Sequence, residues 1–298
     1  MSIRERSRWR SPALGDRRTL DLPGGRLDVY EAGAGPPIVL VHGLLVNANL
    51  WRKVVEGLAP DFRCISLDMP LGSHLEPLGE RDDLTTPDLA ALIGEALEAL
   101  DLQDVTLVGN DTGGALCQVA VTTAPARVGR LVLTSCDFRD NFPPKLFAPL
   151  VAVARVPGAT QAILASLVPR APRRLPLAFG WLTKRPIDKD AEDSYLYPSL
   201  IDARVRSDLR AALTGIDTRH TNTAADRLGA FERPALVAWS REDRVFPTRH
   251  AEELARTLHN ARLEWIEDSY TFSPEDQPER LAGLIAGFVR EPVPAEAV

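Results

Sequence analysis

The sequence predicts an α/β protein in which a mostly parallel, doubly wound sheet is interrupted by a helical insertion. Short apolar runs alternate with amphipathic helical patterns along most of the chain, which is typical of a parallel sheet with helices on both faces. The alternation stops between residues 138 and 225. The length of 298 residues suits one α/β domain that carries an insertion.

The apolar runs predict the strands of the sheet. They are short, rich in β-branched residues and apolar at consecutive positions, as strands covered on both faces are. Two earlier stretches, near Leu20 and at residues 27–29, are expected to form an antiparallel leading edge. The runs comprise residues 38–41, 64–67, 105–108, 131–133, 235–238 and 263–266.

Helices are predicted between these strands. Apolar residues recur at helical spacing from Leu89 to Leu100 and again from Leu281 to Val289. This spacing places them on one face of each helix, where they can pack against the sheet.

The stretch that breaks the alternation is interpreted as a lid. Residues 138–225 contain many prolines and no clear strand, and we expect them to form a mostly helical cap inserted between the core segments 1–137 and 226–298. A disordered linker is the alternative, but Leu, Ile, Val, Phe and Trp recur throughout the stretch, which disfavours disorder.

The composition excludes several classes of protein. The net charge of -6 argues against nucleic acid as a partner, and no apolar stretch reaches the roughly 18 residues of a membrane span. The three cysteines cannot all pair, and no signal peptide is recognisable, so we expect a cytoplasmic location. No metal cluster, phosphate loop or dinucleotide fingerprint is present, so we expect no metal and no cofactor. A homodimer is left open.

The segment after the predicted strand at 105–108 carries the strongest catalytic signal. Residues 109–113 are Gly-Asn-Asp-Thr-Gly, the pattern of a nucleophile elbow with Asp111 in the central position. So sharp a turn strains its central residue and presents the side chain at a helix N-terminus, where backbone N–H groups favour negative charge. The alternative is a glycine-rich turn in which Asp111 only caps the helix.

Two further motifs follow the order that such an elbow requires. An early strand ends in His42-Gly43, in a loop whose Leu44 N–H would be an oxyanion donor opposite the N–H of Thr112. We place His42 and Gly43 at the pocket, with His42 as a structural rather than a catalytic residue. Asp243 follows a late strand and is the candidate acid.

These three motifs together resemble the α/β-hydrolase fold, and the aspartate elbow is similar to that of its haloalkane dehalogenase and epoxide hydrolase branch. The resemblance implies that Asp111 attacks an sp³ carbon and forms an alkyl ester. It also implies that a histidine paired with Asp243 activates water to hydrolyse this ester.

The histidine that the resemblance implies is missing. Its place, in the loop after the last strand, is occupied by Thr271, which has no useful basicity near neutral pH. Of the five histidines in the chain, His74 follows a strand on the same edge as the elbow and is the candidate surrogate base; an ordinary loop histidine is the alternative. His250 and His259 are expected at the surface.

Other departures concern the substrate pocket. Dehalogenases of this type hold the halide with a tryptophan directly after the nucleophile, where this chain has Thr112, and epoxide hydrolases carry a proline where this chain has Leu45. Epoxide hydrolases also use two lid tyrosines; Tyr195 and Tyr197 are two residues apart and would point in opposite directions in an extended segment, so at most one is expected to reach the site. Trp181 is a candidate pocket residue.

Three functions are compatible with these observations. The first is a hydrolase that uses Asp111 on an epoxide or another electrophilic carbon of a small apolar molecule, because the lid is apolar. The second is a non-hydrolytic isomerase, lyase or cyclase in which Asp111 is a general acid or base. The third is an inactive homologue that binds a ligand in the same pocket; however, binding alone does not need an elbow, an acid and an oxyanion loop together.

Overall fold

The computed structural model describes residues 2–79, 84–156 and 158–292, and its core is one eight-stranded sheet in the order β1-β2-β4-β3-β5-β6-β7-β8. The first two strands pair antiparallel at one edge, β2 pairs antiparallel with β4, and the remaining pairs are parallel. The prediction of a mostly parallel sheet with an antiparallel leading edge is confirmed. The strands are β1 (Asp16–Leu22), β2 (Gly25–Ala32), β3 (Pro37–Val41), β4 (Arg63–Asp68), β5 (Val105–Asp111), β6 (Val128–Cys136), β7 (Ala235–Ser240) and β8 (Ala261–Ile266).

Helices connect the strands. Apolar residues of the third and the last helix are buried as the helical spacing predicts, among them Leu89, Leu92 and Ile93 in the third and Leu281 and Ile285 in the last. The helices before and after the insertion are α1 (Ile3–Arg8), α2 (Arg52–Leu58), α3 (Thr86–Ala99), α4 (Thr112–Thr123), α10 (Thr248–Thr257), α11 (Ser273–Asp276) and α12 (Pro278–Arg290).

Between β6 and β7 the described residues contain helices and no strand. A π-helical turn (Pro176–Gly180) links two groups of α-helices, and Asp202 and Asp217 accept hydrogen bonds as N-caps of the fourth and fifth. These helices are α5 (Ala148–Ala154), α6 (Ala159–Ser166), α7 (Lys189–Ile201), α8 (Ala203–Thr214) and α9 (Thr218–Arg227).

The centre of the sheet positions the site. All residues of β5 and β6 are buried, α4 packs against both strands, and β5 lies between β3 and β6. The parallel strands therefore end at one edge, where the loops after β3, β5, β6 and β7 converge. Within the part of the chain that the structure describes, no helix has both the length and the apolar character needed to cross a membrane.

Candidate active site

Asp111 occupies a strained turn at the end of β5, where the strand continues directly into α4. Its backbone has φ 56° and ψ -132°, in a region that non-glycine residues rarely adopt. The turn also requires glycines: a Cβ on Gly109 would lie 2.7 Å from the carbonyl oxygen of Gly113, and a Cβ on Gly113 would lie 2.5 Å from that of His42. The small residues around Asp111 thus allow the close approach that the elbow needs.

The carboxylate of Asp111 is held by the residue that follows it. Its Oδ1 accepts a hydrogen bond from the backbone N–H of Thr112 at 2.6 Å, and the Thr112 hydroxyl lies 3.3 Å away. Burial raises the pKa of Asp111 to about 7; the hydrogen bonds from Thr112 oppose this shift, and the charge of Asp243 adds to it. Near neutral pH the group is therefore poised between the acid and the carboxylate.

The loop after β3 packs against Asp111. A Cβ on Gly43 would lie 2.5 Å from the Cβ of Asp111 and 2.6 Å from its Cγ, so only glycine fits. The ring of His42 fixes this loop: Nε2 accepts the N–H of Met69 at 2.9 Å, which leaves Nδ1 to donate to the carbonyl of Gly43 at 2.8 Å. Burial lowers the pKa of His42 to about 4, so the ring is neutral.

A pocket with about 790 Å³ of empty space, its opening to solvent included, lies above Asp111. Its polar end is formed by Asp111, Thr112 and Asp137, with Leu44 and Leu45 beside them. Most of the other lining residues belong to residues 138–225, and nearly all are apolar: Phe142, Pro143, Pro144, Phe147, Leu150, Val151, Leu164, Leu167, Leu177, Ala178, Phe179, Leu182, Tyr195, Leu196 and Ile216.

Four of the five expected pocket residues do not line this pocket. His42 is fully buried, Trp181 packs against the core, and the Tyr197 ring lies under the guanidinium of Arg173 at 5.9 Å. Gly43 touches Asp111 without lining the cavity.

The two tyrosines lie in α7 rather than in an extended segment, so the reason given for their divergence was wrong. Residues two apart on a helix do not share a face, and only Tyr195 lines the pocket. Its hydroxyl is 3.3 Å from Oε1 of Glu275, and the pKa of Tyr195 is raised by burial and by the charge of Glu275.

Asp243 and Thr271 lie side by side. Oδ1 of Asp243 accepts the N–H groups of Val245 and Phe246, both at 2.8 Å, and the hydroxyl of Thr271 at 3.0 Å. The amide of Asn110, directly before Asp111, donates to the carbonyl of Thr271 at 2.9 Å and so ties this loop to the elbow. Burial raises the pKa of Asp243 to about 6.

His74 does not serve the site. It is buried away from the pocket, and its Nε2 lies 3.0 Å from Oδ2 of Asp208 in α8. The proposal of a surrogate base at this position is therefore wrong, because the loop after β4 turns its imidazole towards α8. His250 was expected at the surface but is buried against Phe138 at 5.8 Å. All five histidines are among the described residues, and none is hydrogen-bonded to Asp111 or Asp243.

Asp137 is the site residue that the sequence analysis missed. It follows β6, is fully buried and lines the pocket, and its Oδ2 lies 3.2 Å from the hydroxyl of Thr112. Burial and the nearby charge of Asp111 raise the pKa of Asp137 well above its usual value. The available signal was its position shortly after the predicted strand at 131–133; β6 continues to Cys136 and ends directly before Asp137.

Residues 36–278 match the model of the alpha/beta hydrolase fold family. The chain belongs to this family. The turn at Asp111, the loop after β3 and Asp243 after β7 thus occupy one edge of the sheet of an alpha/beta hydrolase fold. No three His, Cys, Asp or Glu side chains of the described residues are grouped to hold a metal ion.

This alpha/beta hydrolase is similar to characterised and uncharacterised proteins over nearly its whole length. Haloalkane dehalogenase 2 of Mycobacterium tuberculosis is 26% identical over 286 residues, which cover 91% of this chain and 93% of that protein. The uncharacterized hydrolase YugF of Bacillus subtilis is 24% identical over 92% of this chain and 97% of its own. The crystal structure of haloalkane dehalogenase DatA from Agrobacterium tumefaciens shares the fold, with a TM-score of 0.77 and 23% identity over 94% of this chain and 99% of that one.

Proposed function

We propose that this protein is a hydrolase in which the carboxylate of Asp111 attacks an epoxide or another electrophilic sp³ carbon of a small apolar molecule. The observation that carries the proposal is the position of this carboxylate, on a strained elbow at the polar end of an otherwise apolar pocket. A carboxylate held without water against a bound electrophile gains reactivity from orientation and from the loss of its hydration.

The hydrogen bonds of Asp111 fit covalent catalysis. If the ester forms through Oδ2, then Oδ1 becomes its carbonyl oxygen and gains negative charge when water attacks Cγ. The N–H of Thr112 already donates to Oδ1, and we assign Leu44 N–H as the second donor. Asp111 would thus carry its own oxyanion at the helix N-terminus.

The pocket walls support an apolar substrate, and we propose that residues 138–225 act as the lid that excludes water from it. The dehalogenases among the relatives support a saturated carbon as the electrophile. An epoxide is favoured over a halide, because Thr112 stands where the resemblance implies a halide-binding tryptophan.

A second candidate is a proton-transfer enzyme. Asp111 has a pKa of about 7, raised by burial, and a group that exchanges its proton near neutral pH suits general acid–base catalysis of an isomerisation or elimination. In that case Asp111 would never become an ester.

Single-turnover hydrolysis in H₂¹⁸O separates these candidates. With enzyme in excess over styrene oxide, cyclohexene oxide or octene oxide, the covalent route places one ¹⁸O atom in the side chain of Asp111 and none in the first diol formed. Asp111→Asn is expected to abolish both the label and the diol. Asp140→Asn, which removes an exposed carboxylate bound to Asn222 outside the pocket, is the matched control and should behave as wild type.

The other outcomes have distinct meanings. Label in the first diol would mean that water attacks the substrate directly, which contradicts the nucleophilic role of Asp111. Neither label nor diol across the panel would contradict epoxide hydrolysis and favour a proton-transfer enzyme or a ligand-binding homologue.

A further inference from the structure

Asp137 and Asp111 form a carboxyl pair at the ends of neighbouring strands. The backbone N–H of Asp137 donates to the carbonyl of Asp111 at 3.4 Å, and both side chains line the polar end of the pocket. Thr112 lies between their side chains: its hydroxyl is 3.3 Å from Asp111 Oδ1 and 3.2 Å from Asp137 Oδ2.

The hydroxyl of Thr112 reveals where the proton of this pair resides. A hydroxyl has a single hydrogen, so it can donate to only one of two carboxyl oxygens and must accept from the other. Both contacts are hydrogen bonds only if one carboxyl is protonated. Asp111 Oδ1 also accepts the N–H of Thr112, which stabilises its carboxylate, so the protonated partner is Asp137.

The surroundings of Asp137 agree with this assignment. It is fully buried, its Oδ1 has no hydrogen-bond partner among the described residues, and the preceding residue, Cys136 at the end of β6, has a buried free thiol. Two ionised carboxylates so close together in an apolar site would repel each other, and burial disfavours the charge of each.

We propose that Asp137 is the proton donor to the leaving oxygen and that the substrate is therefore an epoxide. This inference rests on the proposed attack by Asp111. A halide leaves without a proton, whereas an epoxide oxygen leaves as an alkoxide, which a neighbouring carboxylic acid can neutralise as it forms. Asp137 thus takes the task that lid tyrosines have in the epoxide hydrolases to which the elbow is similar.

In the first step Asp111 is the nucleophile and Asp137 is the proton donor. The Asp111 Oδ2–carbon bond forms, the carbon–oxygen bond of the epoxide breaks, and the proton of Asp137 moves to the released oxygen. The products are a hydroxyalkyl ester of Asp111 and the carboxylate of Asp137.

The second step uses the carboxylate that the first step creates. The oxygen of a water molecule bonds to Cγ of Asp111 while Asp137 takes a proton from this water. The resulting oxyanion on Oδ1 faces the N–H of Thr112. Collapse breaks the bond between Cγ and the alkyl oxygen, and this oxygen takes the proton back from Asp137. The remaining carboxyl proton of Asp111 returns to Asp137 through the hydroxyl of Thr112, so epoxide and water become a diol and the pair regains its starting state.

The test compares two probes with one carbon skeleton, styrene oxide and phenethyl methanesulfonate. Opening the epoxide needs a proton, whereas methanesulfonate leaves without one. In Asp137→Asn, formation of the Asp111 ester from styrene oxide should be about 10²–10⁴-fold slower than in wild type, as expected for the loss of a general acid. Ester formation from phenethyl methanesulfonate should stay within about threefold, and this ester should persist because its hydrolysis lacks the base.

Intact-protein mass spectrometry during rapid mixing gives both rates. Asp137→Glu, which keeps the acid, should recover at least tenfold of the lost epoxide rate, and Asp140→Asn should match wild type with both probes. If Asp137→Asn does not fold, Asp137→Ser replaces it in the same comparison.

The failures of the two proposals differ. A wild-type protein that forms no Asp111 ester with either probe would contradict the proposed function. A wild-type protein that forms the ester, together with an Asp137→Asn variant that is equally fast with styrene oxide or equally slowed with both probes, would leave Asp111 as the nucleophile and overturn the role of Asp137.

Discussion

Thr271 stands where an imidazole would complete the usual set of catalytic groups. Its hydroxyl donates to Oδ1 of Asp243 at 3.0 Å, and Asn110 holds its carbonyl at 2.9 Å. Oδ2 of Asp243 is buried and has no hydrogen-bond partner among the described residues. A carboxyl that could orient an imidazole at position 271 is thus in place beside it.

Thr271→His is expected to accelerate hydrolysis of the Asp111 ester. A hydrogen bond to Asp243 can orient the new imidazole, which can take a proton from water. Because Asp137 already acts as a base in this step, the gain should be at most the roughly 10²–10⁴-fold that a general base typically contributes. The decay of the ester after a pulse of styrene oxide, followed by mass spectrometry, measures the gain. The double variant Thr271→His with Asp243→Asn should lose most of it. An unchanged decay rate, in a variant that forms the ester as fast as wild type, would show that the loop does not orient the ring.

At the residue scale, the motifs predicted the site only where they carry a characteristic sequence. Asp111 and Asp243 were found because each follows a strand within such a motif, and Thr271 because its loop matches the flanks of the family histidine. Asp137 was missed because an acid one residue beyond a strand has no sequence signature of its own. His74 was misassigned because sequence order places a loop at the sheet edge but does not determine which way its side chain turns.

At the scale of elements, the junction of β5 and α4 depends on how closely the backbone segments approach one another. A Cβ on Gly113 would overlap the carbonyl oxygen of Val41 and come within 2.5 Å of that of His42. Backbone atoms cannot move aside as a flexible side chain can, so α4 would have to shift away from β3. Such a shift would also displace Thr112, which begins the helix and holds Asp111.

Gly113→Ala is therefore expected to lower the free energy of unfolding by about 1–3 kcal/mol or more, the usual cost of forcing an extra carbon into a packed core. Gly94→Ala in α3 is the matched control, because its Cβ meets nothing within 4 Å and alanine favours a helix over glycine by about 1 kcal/mol. Urea unfolding of both variants provides the measurement. Equal stability of the two variants would mean that the elbow tolerates a side chain and that the packing argument is incorrect.

Elements differed in how far the sequence predicted them. Most strands were predicted because they are buried along their length, and the helices α3 and α12 because each buries a single face. Both arrangements give a regular apolar pattern. Individual helices of residues 138–225 were not predicted, since they pack against one another, the pocket and the core, and α7 even contains Pro198. The directions of Tyr195 and Tyr197 were accordingly argued for an extended segment, although they lie within this helix.

At the scale of the whole molecule, a buried ion pair within the core contacts the inserted helices through Asp188 and Tyr195. Arg52 of α2 contacts Glu275 of α11 with Nη1–Oε1 at 2.5 Å, and it also pairs with Asp188 before α7. Glu275 in turn accepts the hydroxyl of Tyr195, which lines the pocket. Removing one member of such a buried pair leaves an uncompensated charge, so this network resists separation of α7 from the core.

Three buried carboxyls near the sheet edge destabilise the folded protein when they ionise. Burial raises the pKa of Asp111 from 3.8 to about 7 and that of Asp243 to about 6, and it also raises the pKa of Asp137. A carboxyl whose pKa is higher in the folded than in the unfolded protein contributes stability below the unfolded value, and this contribution is lost as the pH rises through the folded value. Ionising these buried carboxyls, as the proposed attack by Asp111 requires, therefore lowers the free energy of unfolding at neutral and higher pH.

Asp111→Asn should show this opposition directly. The amide cannot ionise, so the variant and wild type are expected to be similarly stable near pH 4, and the variant should become the more stable of the two as the pH rises from about 4 to about 7. Each pKa unit corresponds to about 1.4 kcal/mol, which makes the difference at pH 8 a few kcal/mol. Urea unfolding at a series of pH values measures it, and taking the difference cancels contributions from groups that do not interact with Asp111. Asp140→Asn, in which the lost carboxylate is exposed, should show a difference that hardly changes with pH. A difference that is equally flat for Asp111→Asn would mean that the Asp111 carboxylate is not destabilised by burial, and its near-neutral pKa would then no longer support proton exchange at this position.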